Sequence, residues 1–450
     1  MNYFGLLSGS KPKQVVKKTK QSHTKRSMTH DVVRRILESA GHLKSLLDRG
    51  ETVSLRELQD LREAFERHHR QTEHYEFSKK AIQCETLLAH LEQRIRGNDE
   101  SLTGDSPFSP DTQDGAPKES WKFLNIPIRR RTQTLVVSAF LFFTGLPVCI
   151  LLTLLLFMHW FTLPVMVSYV MYIALSRLKH PLPVKSWYIN SPFWKHYRDY
   201  FPIRLVIPKN VRSKINRRKN YMFVYHPHGV HSFGAMVNFG SNANGIHTLL
   251  PGITIHCQTL RMNFWIPFWR HIFTFGGCGD ASAGCIMKTL SAGGGESVLL
   301  VVGGAEESLL SKPGTNDLTL GKRKGFVKLA LRAGAPLVPI YGFGENNVYC
   351  NLAEGKPKVQ RVLKWLQKKI GFAPVLIHGR GWFNYNFGIL PHRRPIVVVV
   401  GEPIEVPRID QPTQEEVDKW HAVYVEALKK LYQENNNVYD LKGSGLRIVG

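Results

Sequence analysis

From Thr132 to Ser176 the chain contains no Asp, Glu, Lys or Arg, and its only basic side chain there is His159. A bilayer's hydrocarbon core needs roughly 20 apolar residues per helical span, so this run supplies two short spans or one deep re-entrant hairpin. Two helices buried in a soluble core are the alternative, but so long a run without a fixed charge argues against it. Pro147 and Pro164 interrupt the run, and His159-Trp160 near its middle suits an interfacial turn. Arg129, Arg130 and Arg131 precede it, and Arg177 and Lys179 follow it. Cations at both ends favour cytoplasmic placement of both flanks, hence a hairpin.

Only 43% of the 450 residues are hydrophobic, so the rest of the chain is expected to be mostly globular and water-facing. The formal charge of +25 points to an anionic partner. Nucleic acid, lipid headgroups or a phosphate-bearing co-substrate would each satisfy it, but a soluble nucleic-acid binder leaves residues 132–176 unexplained. No nucleic-acid partner is therefore expected. Cys84, Cys149, Cys257, Cys278, Cys285 and Cys350 are scattered, with no CxxC pair and no metal-ligand spacing, which predicts reduced thiols and no metal. The N-terminus lacks the ordered regions of a secretory signal.

Residues 1–30 read as a basic disordered tail and 31–96 as a helical region. In the latter, Val33, Ile36, Leu37 and Ala40 share a face, and Ser54–Glu57 resembles a capping box. Residues 97–118, rich in Gly, Ser, Pro and Asp, read as a flexible linker, and 119–180 as the membrane hairpin. From 181 to 436 the pattern is α/β. Tyr221–Tyr225, Ser297–Val302, Pro336–Ile340 and Pro395–Val400 look like buried strands, alternating with helical stretches such as Phe326–Ala333 and Glu415–Glu434. This alternation predicts a largely parallel sheet with covered faces. Residues 437–450 read as a C-terminal tail.

Three strand or loop ends could carry chemistry. Tyr225-His226-Pro227-His228-Gly229 follows a strand and makes a stiff, sharply turned loop, where an imidazole can take a proton from an alcohol. A structural role comes second. A metal site comes last, since His226, His228 and His231 lack zincin spacing. Val302-Gly303-Gly304-Ala305-Glu306-Glu307-Ser308 leaves another apolar strand, and a carboxylate there is placed to orient a neighbouring imidazole or merely to cap a helix. Gly321-Lys322-Arg323-Lys324-Gly325-Phe326 puts cations and glycines at a helix start, a phosphate-binding geometry that suits acyl-CoA and equally a solvated basic turn. Farther on, Val359, Val362, Leu363, Leu366 and Ile370 share one face of a basic amphipathic helix with Trp365 as an anchor, suited to the headgroup region.

With these motifs in order after a charge-free hairpin, the chain resembles the type-2 diacylglycerol acyltransferase family, whose relatives acylate monoacylglycerol and wax alcohols. The match runs from about Trp121 to Glu434. It takes in Tyr200-Phe201-Pro202, His226–Gly229, Val302–Ser308, Arg323-Lys324-Gly325-Phe326, Phe343-Gly344-Glu345 and Gly401-Glu402-Pro403. The resemblance implies a glycerolipid-acyltransferase-like α/β domain in the endoplasmic reticulum membrane and at lipid droplets, with cytosolic termini. It also implies transfer from acyl-CoA, a co-substrate rather than a cofactor, to diacylglycerol, with monoacylglycerol or a long-chain alcohol as alternative acceptors.

In the residues the resemblance carries over, His228 is the general base, and His226 and Glu307, the acid of the Gly-Gly-Ala motif, are the other catalytic residues. Tyr200, Phe201, Pro202, Gly229, Gly303, Gly304, Lys322, Arg323, Gly325 and Phe326 are expected to bind substrate, and Gly229 or Gly303-Gly304 to supply oxyanion donors. Distant glycerolipid acyltransferases use His-x4-Asp, but position 231 here is His and position 233 is Phe. The expectation is therefore that Glu307 orients the His228 ring. Membrane lipid is an expected partner, and homo-oligomerisation is left open. A catalytically inert droplet-coating hairpin is the non-enzyme alternative.

Overall fold

The computed structural model describes residues 126–143, 146–176, 180–370, 374–382, 387–440 and 444–449, with 38–42 and 45 nearer the N-terminus. The chain divides into two compact units, Met1–Asp99 and Glu100–Gly450. In the first unit 38–42 and 45 are helical. The expected tail at 1–30, most of the helical region at 31–96 and the linker at 97–118 lie outside the described residues.

The strands of the second unit are β1 (Ile203–Val206), β2 (Met222–His226), β3 (Thr254–Thr259), β4 (Gly279–Asp280), β5 (Glu296–Val301), β6 (Asn316–Leu318), β7 (Leu337–Phe343), β8 (Cys350–Asn351), β9 (Ile377–His378), β10 (Ile396–Val400) and β11 (Leu446–Ile448). Seven of them form one sheet in the order β1-β10-β7-β2-β5-β3-β4. Every neighbouring pair in it is parallel except β10 with β7. The central strands read MFVYH, LVPIYGF and IVVVV and are buried along their whole length, as expected where helices cover both faces.

Alternation along β2 divides the core. Phe223 and Tyr225 face a cluster with Trp194, Tyr197, Tyr200, Phe201 and Phe233. Met222 and Val224 face the opposite cluster with Ile286, Phe326, Val327, Tyr424 and Leu428. The helices behind that second face are Ala283–Leu290, Gly325–Ala333 and Gln414–Tyr439. The last begins with a capping box in which Thr413 and Glu416 satisfy each other's backbone N–H groups.

Because β2, β5 and β7 are parallel, their carboxyl ends share one edge. β10 runs the other way and β1 runs parallel to it, so the starts of both strands reach that same edge. Tyr200-Phe201-Pro202, the histidine loop, the Gly-Gly-Ala segment and Glu345 are thereby brought together.

The charge-free run, expected as two short spans or one re-entrant hairpin, is not one uninterrupted element. It folds into helices Ile128–Ser138, Leu146–Met158 and Leu163–Leu175, with a π-helical turn at Ala139–Phe143. The second and third pack on each other around a turn at His159–Thr162, but among the described residues no helix is long and apolar enough to cross a membrane. The first is bound to the α/β domain instead. Arg393 donates to Gln133 Oε1 and Thr134 Oγ1, Trp382 donates to Ser138 Oγ, and Val137 is buried in the core. Nor are 437–450 all tail: the last long helix continues to Tyr439, and β11 pairs in parallel with β6.

Candidate active site

His226 is the last residue of β2, and the loop that follows turns through Pro227, His228 and Gly229 before the helix Phe233–Phe239. The loop is fixed from three directions. The backbone N–H of His228 donates to Glu307 Oε2 at 2.8 Å, and Ser232 Oγ donates to the His228 carbonyl at 2.7 Å. Beneath the loop, Gly229 lies against Glu345, whose Cγ is 2.8 Å from where a β-carbon on the glycine would stand. With φ at +59° as well, position 229 admits little but glycine.

The three histidines point apart. His226 is fully buried, and its Nε2 meets Tyr424 Oη at 3.1 Å. Burial, with a smaller effect from His421, pushes its pKa down to about 3, so the ring is neutral at physiological pH and supports the loop from inside. Expected among the catalytic residues, His226 has a ring with no exposed surface. His231 is exposed, against the rings of Phe233 and Tyr349. His228 is half-buried, with Nδ1 2.9 Å from Ser308 Oγ and 3.1 Å from the Gly229 carbonyl oxygen. A carbonyl can only accept, and the Ser308 hydroxyl is itself 3.2 Å from the Gly304 carbonyl, to which it donates. The proton of neutral His228 therefore belongs on Nδ1, and Nε2 carries the lone pair. Burial lowers the His228 pKa, and the Gly229 carbonyl opposes the shift.

The expected contact between Glu307 and the His228 ring is not made. Glu307 is 3% exposed and its two oxygens each accept a backbone N–H, from His228 and from Thr319, both at 2.8 Å. The carboxylate ties the histidine loop to Thr319, directly after β6, and the ring partner is the next residue, Ser308. Gly303 makes room for this, since a β-carbon there would overlap the Glu307 carboxylate. Burial pushes the Glu307 pKa up to about 7 against the pull of these hydrogen bonds. Glu306 turns outward and pairs with Arg323 at 3.0 Å, both side chains about half exposed.

Glu345 was not singled out by sequence as a site residue. It is 1% exposed; Oε2 accepts from Tyr225 Oη at 2.7 Å and from Gly234 N–H at 3.0 Å, while Oε1 is buried without a hydrogen-bond partner. Burial raises its pKa to about 7. Its signal in the sequence was an acid two residues past the buried strand β7.

The expected substrate-binding residues separate into exposed and buried sets. Lys322, Arg323 and Gly325 are exposed at the start of the helix Gly325–Ala333, alongside Glu306. Gly303 and Gly304 open the helix Gly304–Leu310, whose first N–H groups have no intrahelical acceptor. Phe326 is instead core, packed on Tyr424 and His421. Tyr200 and Phe201 are also fully buried. Tyr200 donates to the Pro391 carbonyl and lies under the guanidinium of Arg393, 4.2 Å from the ring centre, and Phe201 stacks on Phe233. Large aromatic rings at a strand entry serve to pack it, and Pro202, half-buried between them and β1, belongs to that wall. In the amphipathic helix Pro357–Ile370, Val359 and Leu363 pack against Leu309, while Val362 and Trp365 are exposed among lysines.

A lone-pair imidazole at the carboxyl edge of an α/β sheet, held by hydrogen bonds at its other nitrogen, has the chemistry to accept a proton from a hydroxyl. The diacylglycerol acyltransferase family model matches residues 153–447, and the chain belongs to that family. It is 43% identical to diacylglycerol O-acyltransferase 2 of Dictyostelium discoideum over 70% of this chain and 94% of that one. It is 38% identical to diacylglycerol O-acyltransferase 2B of Umbelopsis ramanniana over 72% and 94%, and 45% identical to human diacylglycerol O-acyltransferase 2 over 57% and 66%. Among solved structures, the 1-acyl-sn-glycerophosphate acyltransferase PlsC of Thermotoga maritima aligns over 68% of this chain and 95% of its own, at 10% identity and a TM-score of 0.33.

Proposed function

We propose that this protein transfers a fatty acyl group from acyl-CoA to the free hydroxyl of diacylglycerol, with His228 as general base. The observation that carries the reading is the state of the His228 ring, its proton fixed on Nδ1 and its Nε2 without a hydrogen bond among the described residues. Nε2 takes the hydroxyl proton as the oxygen attacks the thioester carbonyl. The tetrahedral oxyanion is met by backbone N–H groups at Gly229 or Gly303-Gly304, and collapse expels CoA thiolate, which takes a proton from the imidazolium or from water. Ser308 and the Gly229 carbonyl, neutral acceptors both, hold the imidazolium in place of a carboxylate. Lys322 and Arg323 supply cations for the CoA phosphates.

The hairpin brings this site to the layer where the acceptor dissolves. Its two helices have 13 residues each, about 20 Å against a hydrocarbon core of about 30 Å. It therefore enters one leaflet and turns back, leaving both flanks on the cytosolic face of the endoplasmic reticulum or on a lipid droplet. Microsomes containing the chain, given labelled acyl-CoA with diacylglycerol, monoacylglycerol or a long-chain alcohol in parallel, test the reading. Triacylglycerol as the leading product supports it. Preference for another acceptor moves the substrate assignment, and no transfer to any of them overturns the enzyme reading in favour of a coat protein.

A further inference from the structure

Scattered through the sequence without metal-ligand spacing, three side chains converge beside the site. Cys350 in β8 and His378 in β9 are directly opposed in an antiparallel pair. His392 is fastened just ahead of β8 by its own N–H, which donates to the Val348 carbonyl at 2.8 Å. One ligand atom from each of the three lies within 4.8 Å of the others. The Cys350 thiol is free, and Nδ1 of His378 is buried with no hydrogen-bond partner. An imidazole nitrogen withdrawn from water and left without a partner needs either a proton acceptor or a Lewis acid.

We propose that Cys350, His378 and His392 bind a borderline-soft divalent cation, with zinc as the expected ion. One thiolate and two neutral imidazoles are the donor set zinc prefers, and three protein ligands leave a fourth tetrahedral position for water. With bonds of about 2.0–2.3 Å, ligand atoms in such a site stand roughly 3.4–3.6 Å apart, so side-chain rotation of about an ångström closes the cluster. Binding replaces the thiol proton: zinc and Cys350–SH give a zinc–thiolate bond and one released proton. The ligands bracket two other residues, Arg380 two positions after His378 and Arg393 directly after His392. Both guanidiniums lie over the ring of Tyr200, at 5.8 and 4.2 Å. The cation would therefore lock the β8–β9 pair and the segment leading to β10 into one platform at the edge of the sheet where His228 sits.

The test uses the full chain, solubilised in detergent and free of any histidine tag, loaded with zinc or with cobalt as a spectroscopic substitute. The expected result is about one tightly held zinc per chain, a thiolate-to-cobalt charge-transfer band, and a lower unfolding temperature after chelation. Cys350→Ser, a single-atom change, should abolish the band, and His378→Gln or His392→Gln should weaken binding at least tenfold. His180, Asp280 and Cys285 form a second cluster with ligand atoms within 4.8 Å, so Cys285→Ser is the control and should leave the band unchanged. A band that survives Cys350→Ser, a band lost in Cys285→Ser, or metal that washes out equally from every variant overturns the proposal.

Discussion

Ser308 Oγ lies 2.9 Å from His228 Nδ1, the position expected for a carboxylate, while the adjacent Glu307 carboxylate holds the backbone N–H of the same histidine. Ring and backbone of His228 are thus fixed by consecutive residues on one helix start. Ser308→Ala removes an acceptor that strengthens when the ring becomes imidazolium. A hydrogen bond to a charged group contributes about 1.5–3 kcal/mol, so the turnover rate should fall on the order of 10–150-fold. KM for acyl-CoA should change little, and Ser308→Thr should recover part of the loss. An unchanged rate in Ser308→Ala would remove Ser308 as a positioning residue.

His228 and His226 should fail in different ways. His228→Gln should reduce the rate by about 100–10,000-fold, the usual contribution of a general base, with folded yield near normal because the ring is only half-buried. His226→Ala leaves a cavity against Tyr424 in the core, so the folded yield and thermal stability should drop with the rate. Initial rates normalised to correctly inserted protein, beside thermal unfolding of each variant, separate the two. Normal activity in His228→Gln would end the mechanism.

The scaffold was legible where its signal was local. The apolar runs at 221–225, 297–302, 336–340 and 395–400 became β2, β5, β7 and β10 with boundaries shifted by only a few residues. β3 was missed because His256, Gln258 and three threonines or cysteines break its apolar pattern, although it pairs along β5. At the site, motif order identified the loops but not which atoms meet. One-residue steps around a helix start change direction by about 100°, so Glu306, Glu307 and Ser308 face solvent, backbone and imidazole in turn. The buried fate of Tyr200, Phe201 and Phe326 was likewise invisible, since an aromatic beside a motif packs a core or lines a pocket with the same letters.

Glu307 and Glu306 provide the sharpest contrast between neighbours. Both Glu307 oxygens face backbone donors, so Glu307→Gln must turn an amide N–H₂ toward one of them. A buried donor left unsatisfied costs about 1–3 kcal/mol, which should lower stability and loosen the His228 loop together. Glu306→Gln breaks only a half-exposed pair with Arg323, of a kind worth about 0–1 kcal/mol, and the rate should stay within about twofold. Thermal unfolding and initial rates on both variants check this. Were Glu306→Gln the damaging change, the assignment would move by one residue.

Glu345 should make stability depend on pH. Its folded pKa of about 7 exceeds that of an unfolded glutamate, near 4.5, so the native state holds the proton more tightly. That contribution is complete below about pH 4.5 and is lost as pH rises through about 7. Glu307, raised to a similar value, adds to the same window. Glu345→Gln imitates the protonated form: its oxygen accepts from Tyr225 and Gly234, and its nitrogen takes the place of the unpartnered Oε1. The variant should therefore match the native protein at pH 5 and exceed it at pH 8. Unfolding midpoints in detergent across that range decide it, and a parallel pH profile for the two proteins would show that Glu345 does not titrate there.

The hairpin tip should govern membrane attachment without governing the fold. Met158, Trp160 and Phe161 are 82%, 80% and 70% exposed, so nothing in the α/β domain depends on packing against them. A hairpin that enters one leaflet places this tip at the greatest depth, where an aspartate costs about 2.5–3.5 kcal/mol. Trp160→Asp combined with Phe161→Asp should shift the protein from carbonate-resistant membranes to the extractable fraction, while the solubilised form keeps its unfolding temperature. Cysteines placed near Lys122 and near Lys195 should label from the same, cytosolic face of sealed microsomes. Labelling from opposite faces would require an odd number of crossings. Helices of about 20 Å do not span a core of about 30 Å singly, so that result would replace the one-leaflet hairpin with a different conformation in the bilayer.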